Sequence, residues 1–185
     1  MLVILLIPQL LFQLNCKTNA QETENMKKAI FASGCFWGVE YYFQKQQGVI
    51  STTVGYIGGT VQNPTYEQVC SKKTGHAEAV LVEYNEDSVS YETLVKLFFE
   101  THDFTQINRQ GPDIGEQYRS EIFYLDDNEK EIAQKYIDIL TKKGYKVATK
   151  LTFATTFWEA EKYHQDYYQN NGKSPYCHFK TKIFD

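Results

Sequence analysis

From residue 28 onward the chain alternates short apolar segments with longer amphipathic ones. Four short apolar segments bounded by turn residues predict β-strands; they are 29–31, 49–56, 77–84 and 121–125. Three longer segments carry apolar residues at helical spacing and predict helices. They are 36–46, 90–101 with Ser90 as its N-cap, and 127–143, which ends before Gly144.

The first six of these elements follow the order β-α-β-β-α-β, the split pattern of a ferredoxin-like α/β (α+β) sandwich. We expect this core to be extended by the helix 127–143, an extra strand at 150–153, and a long, mobile C-terminal coil from Asn170. The polar stretch 102–118 is long for a loop inside a compact domain, which favours a functional role.

The first 14 residues are almost entirely apolar, and a polar stretch follows. This run is too short to span a bilayer as a helix and is typical of a signal-peptide core. Its end resembles a lipoprotein lipobox, with Cys16 at the lipidated position. We expect residues 1–20 to be an export segment that places the protein in the cell envelope or periplasm. The alternatives are simple cleavage after Ala20, without a lipid anchor, and a cytoplasmic protein that starts at Met26.

The composition fits one globular domain that binds no nucleic acid. The chain has 185 residues, of which 42% are apolar and 23% charged, enough for a single buried core. A net charge of −4 without a basic run argues against a nucleic-acid partner. The four cysteines form no C-x-x-C pair, which excludes a zinc ribbon or a thioredoxin-type dithiol site.

Cys35 lies where the first predicted strand passes into the first predicted helix, directly before Phe36 and Trp37. Ser33-Gly34 predicts a turn and a helix cap, which would place the thiol in the first helical turn, where free N–H groups stabilise a thiolate. The two rings can form an apolar pocket for a small uncharged group. The alternative is a buried structural thiol.

Glu78 opens the strand 77–84, on the face that it shares with Val80 and Val82. Ionisation is costly at the end of an apolar row, so we expect a raised pKa and a candidate general acid. The alternative is an edge carboxylate that reaches solvent or pairs with a lysine. Tyr56 ends the preceding strand. Without a functional role, it would be a half-buried aromatic residue whose hydroxyl is in water.

Six ordered motifs connect these residues to a known family. They are Gly34-Cys35-Phe36-Trp37-Gly38, Val54-Gly55-Tyr56-Ile57-Gly58-Gly59, Gly75-His76-Ala77-Glu78, Asn108-Arg109-Gln110-Gly111, Asp113-Ile114-Gly115-Glu116-Gln117-Tyr118-Arg119-Ser120 and Tyr163-His164-Gln165-Asp166-Tyr167. Together they resemble the signature of peptide methionine sulfoxide reductase, type A. The resemblance implies one catalytic domain over 26–185. One departure is Phe104, where the family usually has proline, and we expect the start of the loop to be looser.

The resemblance also implies roles for the residues of the pocket. Cys35 matches the family's nucleophile, and Glu78 matches the acid that protonates the sulfoxide oxygen. The cage around the sulfoxide methyl group matches Phe36 and Trp37. Three further residues match polar groups around the oxygen or in the same pocket: Tyr56, Tyr118 and Asp113.

Two other cysteines are placed by the same resemblance. Cys177 matches the C-terminal resolving cysteine, whereas Cys70 lies where some members carry a cysteine without a catalytic role. With Cys16 in the export segment, three thiols remain, and an odd number argues against a purely structural disulfide framework.

The implied activity is reduction of methionine-S-sulfoxide, free or in oxidised proteins, as repair after oxidative damage. Attack leaves Cys35 as a sulfenic acid, which Cys177 condenses to a disulfide. An external reductant, a thioredoxin-like protein or dithiothreitol, then resets a monomeric enzyme that has no bound cofactor or metal. The helix end contributes only about 0.3–1 kcal/mol, so we expect thiol activation to depend on proton movement between thiol, Glu78 and bound substrate.

Two other functions are compatible with the residues alone. One is a different thiol oxidoreductase, such as a one-cysteine peroxidase or a disulfide exchanger. The other is an exported binding module in which Cys35 and Cys177 form a permanent disulfide.

Overall fold

A six-stranded sheet forms the centre of the structure, a computed structural model that describes residues 25–176 and 178–184. Numbered along the chain, its strands are β1 (Met26–Ser33), β2 (Val49–Ile57), β3 (Ala77–Asn85), β6 (Ser120–Tyr124), β7 (Lys150–Phe153) and β8 (Trp158–Glu159). Their spatial order is β7-β6-β1-β3-β2-β8, and only β6 and β7 pair in parallel. A separate hairpin contains β4 (Arg109–Gln110) and β5 (Asp113–Ile114).

The helices complete the expected ferredoxin-like core. They are α1 (Phe36–Gln44), α2 (Tyr66–Cys70), α3 (Tyr91–Glu100), α4 (Asp127–Lys142) and α5 (Tyr167–Asn171). The order β1-α1-β2-β3-α3-β6 and the neighbours β6-β1-β3-β2 confirm the split pattern, with α4 and β7 as the additional helix and strand. Ser90 caps α3 as expected, accepting a hydrogen bond from the Thr93 N–H at 3.2 Å.

Alternation along β1 assigns its residues to the two faces of the sheet. Phe31 lies on the face covered by α1 and α3, where it stacks on Phe43 with ring centroids 4.9 Å apart and contacts Phe98 at 5.5 Å. Ile30 and Ala32 face the opposite, smaller apolar cluster. Each fully buried side chain of Phe31's size contributes about 1.5–3 kcal/mol, so this packing fixes the start of α1 against the sheet.

Strand register brings the candidate residues to one edge of the sheet. Because β3 is antiparallel to both β1 and β2, the ends of β1 and β2 lie beside the beginning of β3. Tyr56 is directly opposite Glu78, and Val54 is opposite Val80. Paired residues project to the same face, which confirms that Glu78 shares the buried helix-facing side of β3.

The polar stretch 102–118 contains the β4–β5 hairpin and a 3₁₀ turn at Glu116–Tyr118. Phe104, in place of the usual proline, is buried and packs edge-on against Phe99 and Tyr145, with centroids 5.4 and 5.3 Å apart. The start of this loop is therefore anchored by aromatic packing.

The described part of the C-terminal segment is docked on α3, not detached as a free tail. The Thr181 N–H donates to the Glu100 carbonyl at 2.7 Å, and Phe184 packs edge-on against Tyr136. The expected export segment 1–20 with Cys16, and also Cys177, lie outside the described residues. None of the helices in the described ranges is long and apolar enough to cross a membrane.

Candidate active site

Cys35 is the N-cap residue of α1, so it precedes the first helical turn and is not in it as expected. Its carbonyl accepts the N–H groups of Gly38 and Val39, and its side chain makes no capping hydrogen bond; the N-cap is Cys35 and not Ser33. Cys35 is only 7% exposed. The turn before it needs glycine: Gly34 has φ +104°, and a β-carbon there would lie 2.6 Å from the Gln110 side chain.

Glu78 lies against the helix N-terminus beside the thiol. Its Oε2 accepts the Phe36 N–H at 3.1 Å, whereas Oε1 is buried and has no hydrogen-bond partner among the described residues. Burial, and then the neighbouring Cys35 and Asp113 charges, raise the pKa of Glu78 well above its ordinary value despite the Phe36 hydrogen bond. Burial therefore favours the neutral, protonated carboxyl, and Oε1 is the oxygen that makes no hydrogen bond to the described residues.

Phe36 and Trp37 form an aromatic wall next to the thiol, with ring centroids 6.3 Å apart. Two residues of a distant segment hold the indole. Its Nε1–H donates to Nδ1 of His164 at 3.1 Å, and Tyr167 stacks on it at 3.8 Å and 7°. Burial lowers the pKa of His164, which favours the neutral imidazole, and only a neutral ring has a nitrogen that accepts the indole hydrogen bond.

The segment 161–167 is fastened to the site by backbone contacts. The side-chain amide of Gln165 bonds to both the N–H and the carbonyl of Val54, at 2.9 and 3.0 Å. The Asp166 N–H donates to Glu40 on α1 at 2.9 Å. Burial and the Asp166 charge raise the pKa of Glu40 to about 7. These contacts fix the position from which Tyr167 reaches Trp37.

Tyr56 is fully buried, with its ring 5.9 Å from that of Phe36. Its hydroxyl donates to Glu161 Oε2 at 2.9 Å, and the other Glu161 oxygen accepts the Tyr66 N–H at 2.9 Å. Burial, the Glu161 bond and nearby carboxylates including Glu78 raise the pKa of Tyr56, so the phenol stays protonated.

Tyr118 and Asp113 reach the same site from the long loop. Tyr118 ends the 3₁₀ turn, and burial followed by the charge of Glu78 raises its pKa. Asp113 lies on β5, and its carboxyl is close enough to raise the pKa of Glu78. The loop predicted to be functional thus supplies two polar groups next to the acid.

His178, which follows Cys177 in the sequence, is inserted beside the turn that precedes Cys35. Its Nε2 is 2.8 Å from the Ser33 carbonyl, and burial lowers its pKa to about 4. A β-carbon on Gly38 would lie 2.2 Å from His178 Nδ1. Gly38 therefore makes room for this ring on α1.

Cys70, at the end of α2, is close enough to Glu78 and Glu161 to interact with their charges. Burial raises the pKa of this half-buried thiol, and the charges of Glu78 and Glu161 raise it further, although its hydrogen bond with Tyr66 lowers it. A raised pKa keeps the sulfur in the less nucleophilic thiol form.

Most of the expected pocket residues converge: Cys35, Phe36, Trp37, Tyr56, Glu78, Asp113 and Tyr118. Glu161 and His164 were not singled out from the sequence, although His164 lies in one of the six motifs. Their partners are 105 and 127 residues away, so no local pattern indicates the contacts. Across residues 25–176 and 178–184, no three His, Cys, Asp or Glu side chains are grouped to hold a metal ion.

Comparison with known proteins places this geometry in one family. The family model described as peptide methionine sulfoxide reductase matches residues 27–185. A relative from Nautilia profundicola, named peptide methionine sulfoxide reductase MsrA, is 51% identical over 152 residues, which cover 82% of this chain and 88% of the relative.

Solved structures give the same result. Reduced Mxr1 from Saccharomyces cerevisiae is 34% identical, has a TM-score of 0.79, and is aligned over 85% of this chain and 93% of its own. Mxr1 in complex with Trx2 is 26% identical, with a TM-score of 0.57 over 85% and 91% of the two chains. The chain therefore belongs to the type A peptide methionine sulfoxide reductase family of oxidoreductases.

Proposed function

We propose that this enzyme reduces methionine-S-sulfoxide, in oxidised proteins and as the free amino acid, with Cys35 as nucleophile. The observation that carries the proposal is the buried Glu78 with an unpartnered oxygen beside the thiol, where burial favours the protonated form of the carboxyl. A sulfoxide has a basic oxygen that must be protonated before the sulfur–oxygen bond can break. A protonated carboxyl aimed into the pocket that holds the thiol meets that requirement.

In the first step the Cys35 sulfur bonds to the sulfoxide sulfur while Glu78 gives its proton to the oxygen. The oxygen then passes from the substrate sulfur to the Cys35 sulfur: the substrate sulfur–oxygen bond breaks, a bond between that oxygen and the Cys35 sulfur forms, and the bond between the two sulfurs breaks. Methionine leaves, and Cys35 is left as a sulfenic acid. Two electrons pass from the cysteine to the substrate sulfur. The proton of the Cys35 thiol returns Glu78 to its neutral form, so the step consumes no external acid.

Phe36 and Trp37 account for the choice of epimer in this proposal. The substrate methyl group occupies the apolar slot beside the two rings, while the oxygen is directed to Glu78, Tyr56 and Tyr118. Asp113 lies at the polar side of the pocket. With methyl and oxygen assigned to fixed sides, only one configuration at sulfur presents its open face to Cys35.

Cys177 completes the cycle by attacking the sulfenic acid, which forms a Cys35–Cys177 disulfide and releases water. The docking of His178, its neighbour in the sequence, beside the turn of Cys35 supports this assignment. A thioredoxin-like protein then reduces the disulfide by thiol exchange. The solved structure of Mxr1 in complex with Trx2 supports that donor.

Two further parts of the proposal come from the sequence. The segment 1–20, whose first 14 residues are almost entirely apolar, favours export to the cell envelope, with Cys16 as the point of lipid attachment. The enzyme acts as a monomer. It needs no bound cofactor, because its reducing equivalents come from thiols.

Trapping the intermediate tests the chemistry. Cys177→Ser should reduce one equivalent of methionine sulfoxide per enzyme and then retain a Cys35 sulfenic acid that reacts with dimedone. Its turnover with thioredoxin should collapse, while dithiothreitol supports part of it. Cys70→Ser is the matched control and should turn over normally. Normal thioredoxin-supported turnover in Cys177→Ser, with an inactive Cys70→Ser, would assign resolution to Cys70 instead.

A further inference from the structure

Tyr56 and Glu161 share one proton whose location determines what Tyr56 can offer a substrate. A phenol hydroxyl has a single hydrogen to donate and lone pairs that accept. In this structure the hydrogen is committed to Glu161 Oε2, at 2.9 Å. The Tyr56 oxygen therefore has only acceptor capacity left for any second group.

The ionised form of Glu161 stabilises this hydrogen bond from the Tyr56 hydroxyl. Burial alone would raise the pKa of Glu161, but the N–H groups of Tyr66 and of Glu161 itself, and the Tyr56 hydroxyl, outweigh it and hold the pKa below its ordinary value. An ionised carboxylate accepts hydrogen bonds and donates none. Both of its oxygens are occupied, one by Tyr56 and one by the first amide of α2, so the carboxylate cannot turn away without losing a partner.

We infer that Glu161 is a positioning residue that presents the Tyr56 oxygen to the substrate as a hydrogen-bond acceptor. This inference rests on the proposed function. A neutral sulfoxide oxygen only accepts, so it gains little from such a group. Once Glu78 has transferred its proton, the oxygen carries a hydrogen that Tyr56 can accept. The contact is therefore strongest after proton transfer begins, which is the condition for raising kcat without tightening substrate binding.

The substitution Glu161→Gln reverses the polarity of this contact with little change in shape. The Tyr66 N–H needs an acceptor, so it takes the single amide oxygen, and the amide NH₂ turns to Tyr56. That NH₂ donates to the phenol oxygen and releases the Tyr56 hydrogen toward the substrate. We expect kcat to fall about 10- to 100-fold, the range of one hydrogen bond to a charged group. KM should be unchanged or lower, because the ground-state sulfoxide gains a donor.

Glu159→Gln is the matched control, because it removes the same charge from an exposed site two residues away on β8. It should keep wild-type kcat and KM. The decisive comparison is a double-mutant cycle with Tyr56→Phe, which lacks the hydroxyl. In that background Glu161→Gln should cause no further loss of kcat. A loss as large as in the wild type would show that Glu161 does not act through Tyr56, and an unchanged kcat in the single variant would also overturn the inference.

The same series separates this inference from the proposed function. If Tyr56→Phe itself retains full kcat, the proposed role of the Tyr56 hydroxyl fails, and the role of Glu161 fails with it. If Tyr56→Phe is impaired and Glu161→Gln is not, only the positioning role of Glu161 is lost.

Discussion

The hydrogen bond from the Phe36 N–H to Glu78 joins the helix that follows the thiol to the strand that carries the acid. It measures 3.1 Å and links residues 42 positions apart in the sequence. Because Phe36 is the first helical residue after Cys35, this one contact satisfies a free amide of α1 and fixes the Glu78 carboxyl beside the thiol. The second Glu78 oxygen has no hydrogen-bond partner among the described residues.

Replacing Glu78 with Gln should reduce kcat much more than it changes KM. The amide oxygen can still accept the Phe36 N–H, and the NH₂ can bond to the sulfoxide oxygen, but it transfers no proton. A lost general acid typically costs about 10²–10⁴-fold in rate. Steady-state kinetics measure kcat and KM of this variant. Glu129→Gln is the control, because Glu129 is another buried carboxyl with a raised pKa but lies far from the thiol. An unchanged kcat across the pH profile would remove Glu78 from the mechanism.

The same substitution should change how stability depends on pH. Burial raises the pKa of Glu78 in the folded state, so above the ordinary pKa of about 4.3 the unfolded chain binds fewer protons than the folded one. This group therefore makes stability fall as pH rises toward its folded pKa. Glu78→Gln should have a Tm above that of the wild type at about pH 8, with the difference shrinking toward pH 4. A difference independent of pH would contradict the raised pKa.

Gly38→Ala should separate reduction of the substrate from resolution of the enzyme. The new methyl group would lie 2.2 Å from His178 Nδ1 and must displace the ring. Single-turnover reduction by Cys35 should persist, while formation of the disulfide and thioredoxin-supported turnover should slow.

The single variant His178→Ala serves as the control, because it removes the docked ring without changing α1. It should slow disulfide formation as Gly38→Ala does and leave single-turnover reduction intact. If Gly38→Ala leaves the resolving rate unchanged, the docking of His178 has no part in resolution.

Loss of the Tyr167 ring should weaken substrate binding through Trp37. The two rings stack at 3.8 Å, and such a pair is worth about 0.5–1.5 kcal/mol beyond its buried area. Tyr167→Leu should therefore raise KM for a sulfoxide peptide about 2- to 10-fold, with a smaller effect on kcat. The control is Tyr145→Leu, because the Tyr145 ring packs on Phe104, away from the cage. Equal effects of the two variants on KM would argue against a cage held by Tyr167.

The regular part of the fold was predictable because its information is local. Alternation placed Glu78 and Val80 on one face of β3, and the side chain of Ser90 identified the start of α3. The short helix α2 had a visible signal as well, the Thr65-x-x-Gln68 capping box. It was missed because five residues are too few to show helical periodicity.

The contacts that complete the site were not predictable in the same way. Glu161 reaches Tyr56 only because β8 pairs with β2 across the fold, through the register of Trp158 with Tyr56. The position of Cys35 at the N-cap, one step before the first turn, depends on the left-handed conformation of Gly34. Both follow from tertiary packing, and neither is encoded in the spacing of apolar residues.

The most direct test of the central claim is a reduction assay on the two separated epimers of methionine sulfoxide, with dithiothreitol as donor. A slot that fixes the methyl group against Phe36 and Trp37 and the oxygen against Glu78 admits one configuration at sulfur. The S epimer should be turned over, the R epimer should not, and Cys35→Ser should abolish the reaction. Comparable turnover of both epimers, or reduction by Cys35→Ser, would contradict the assignment of this site.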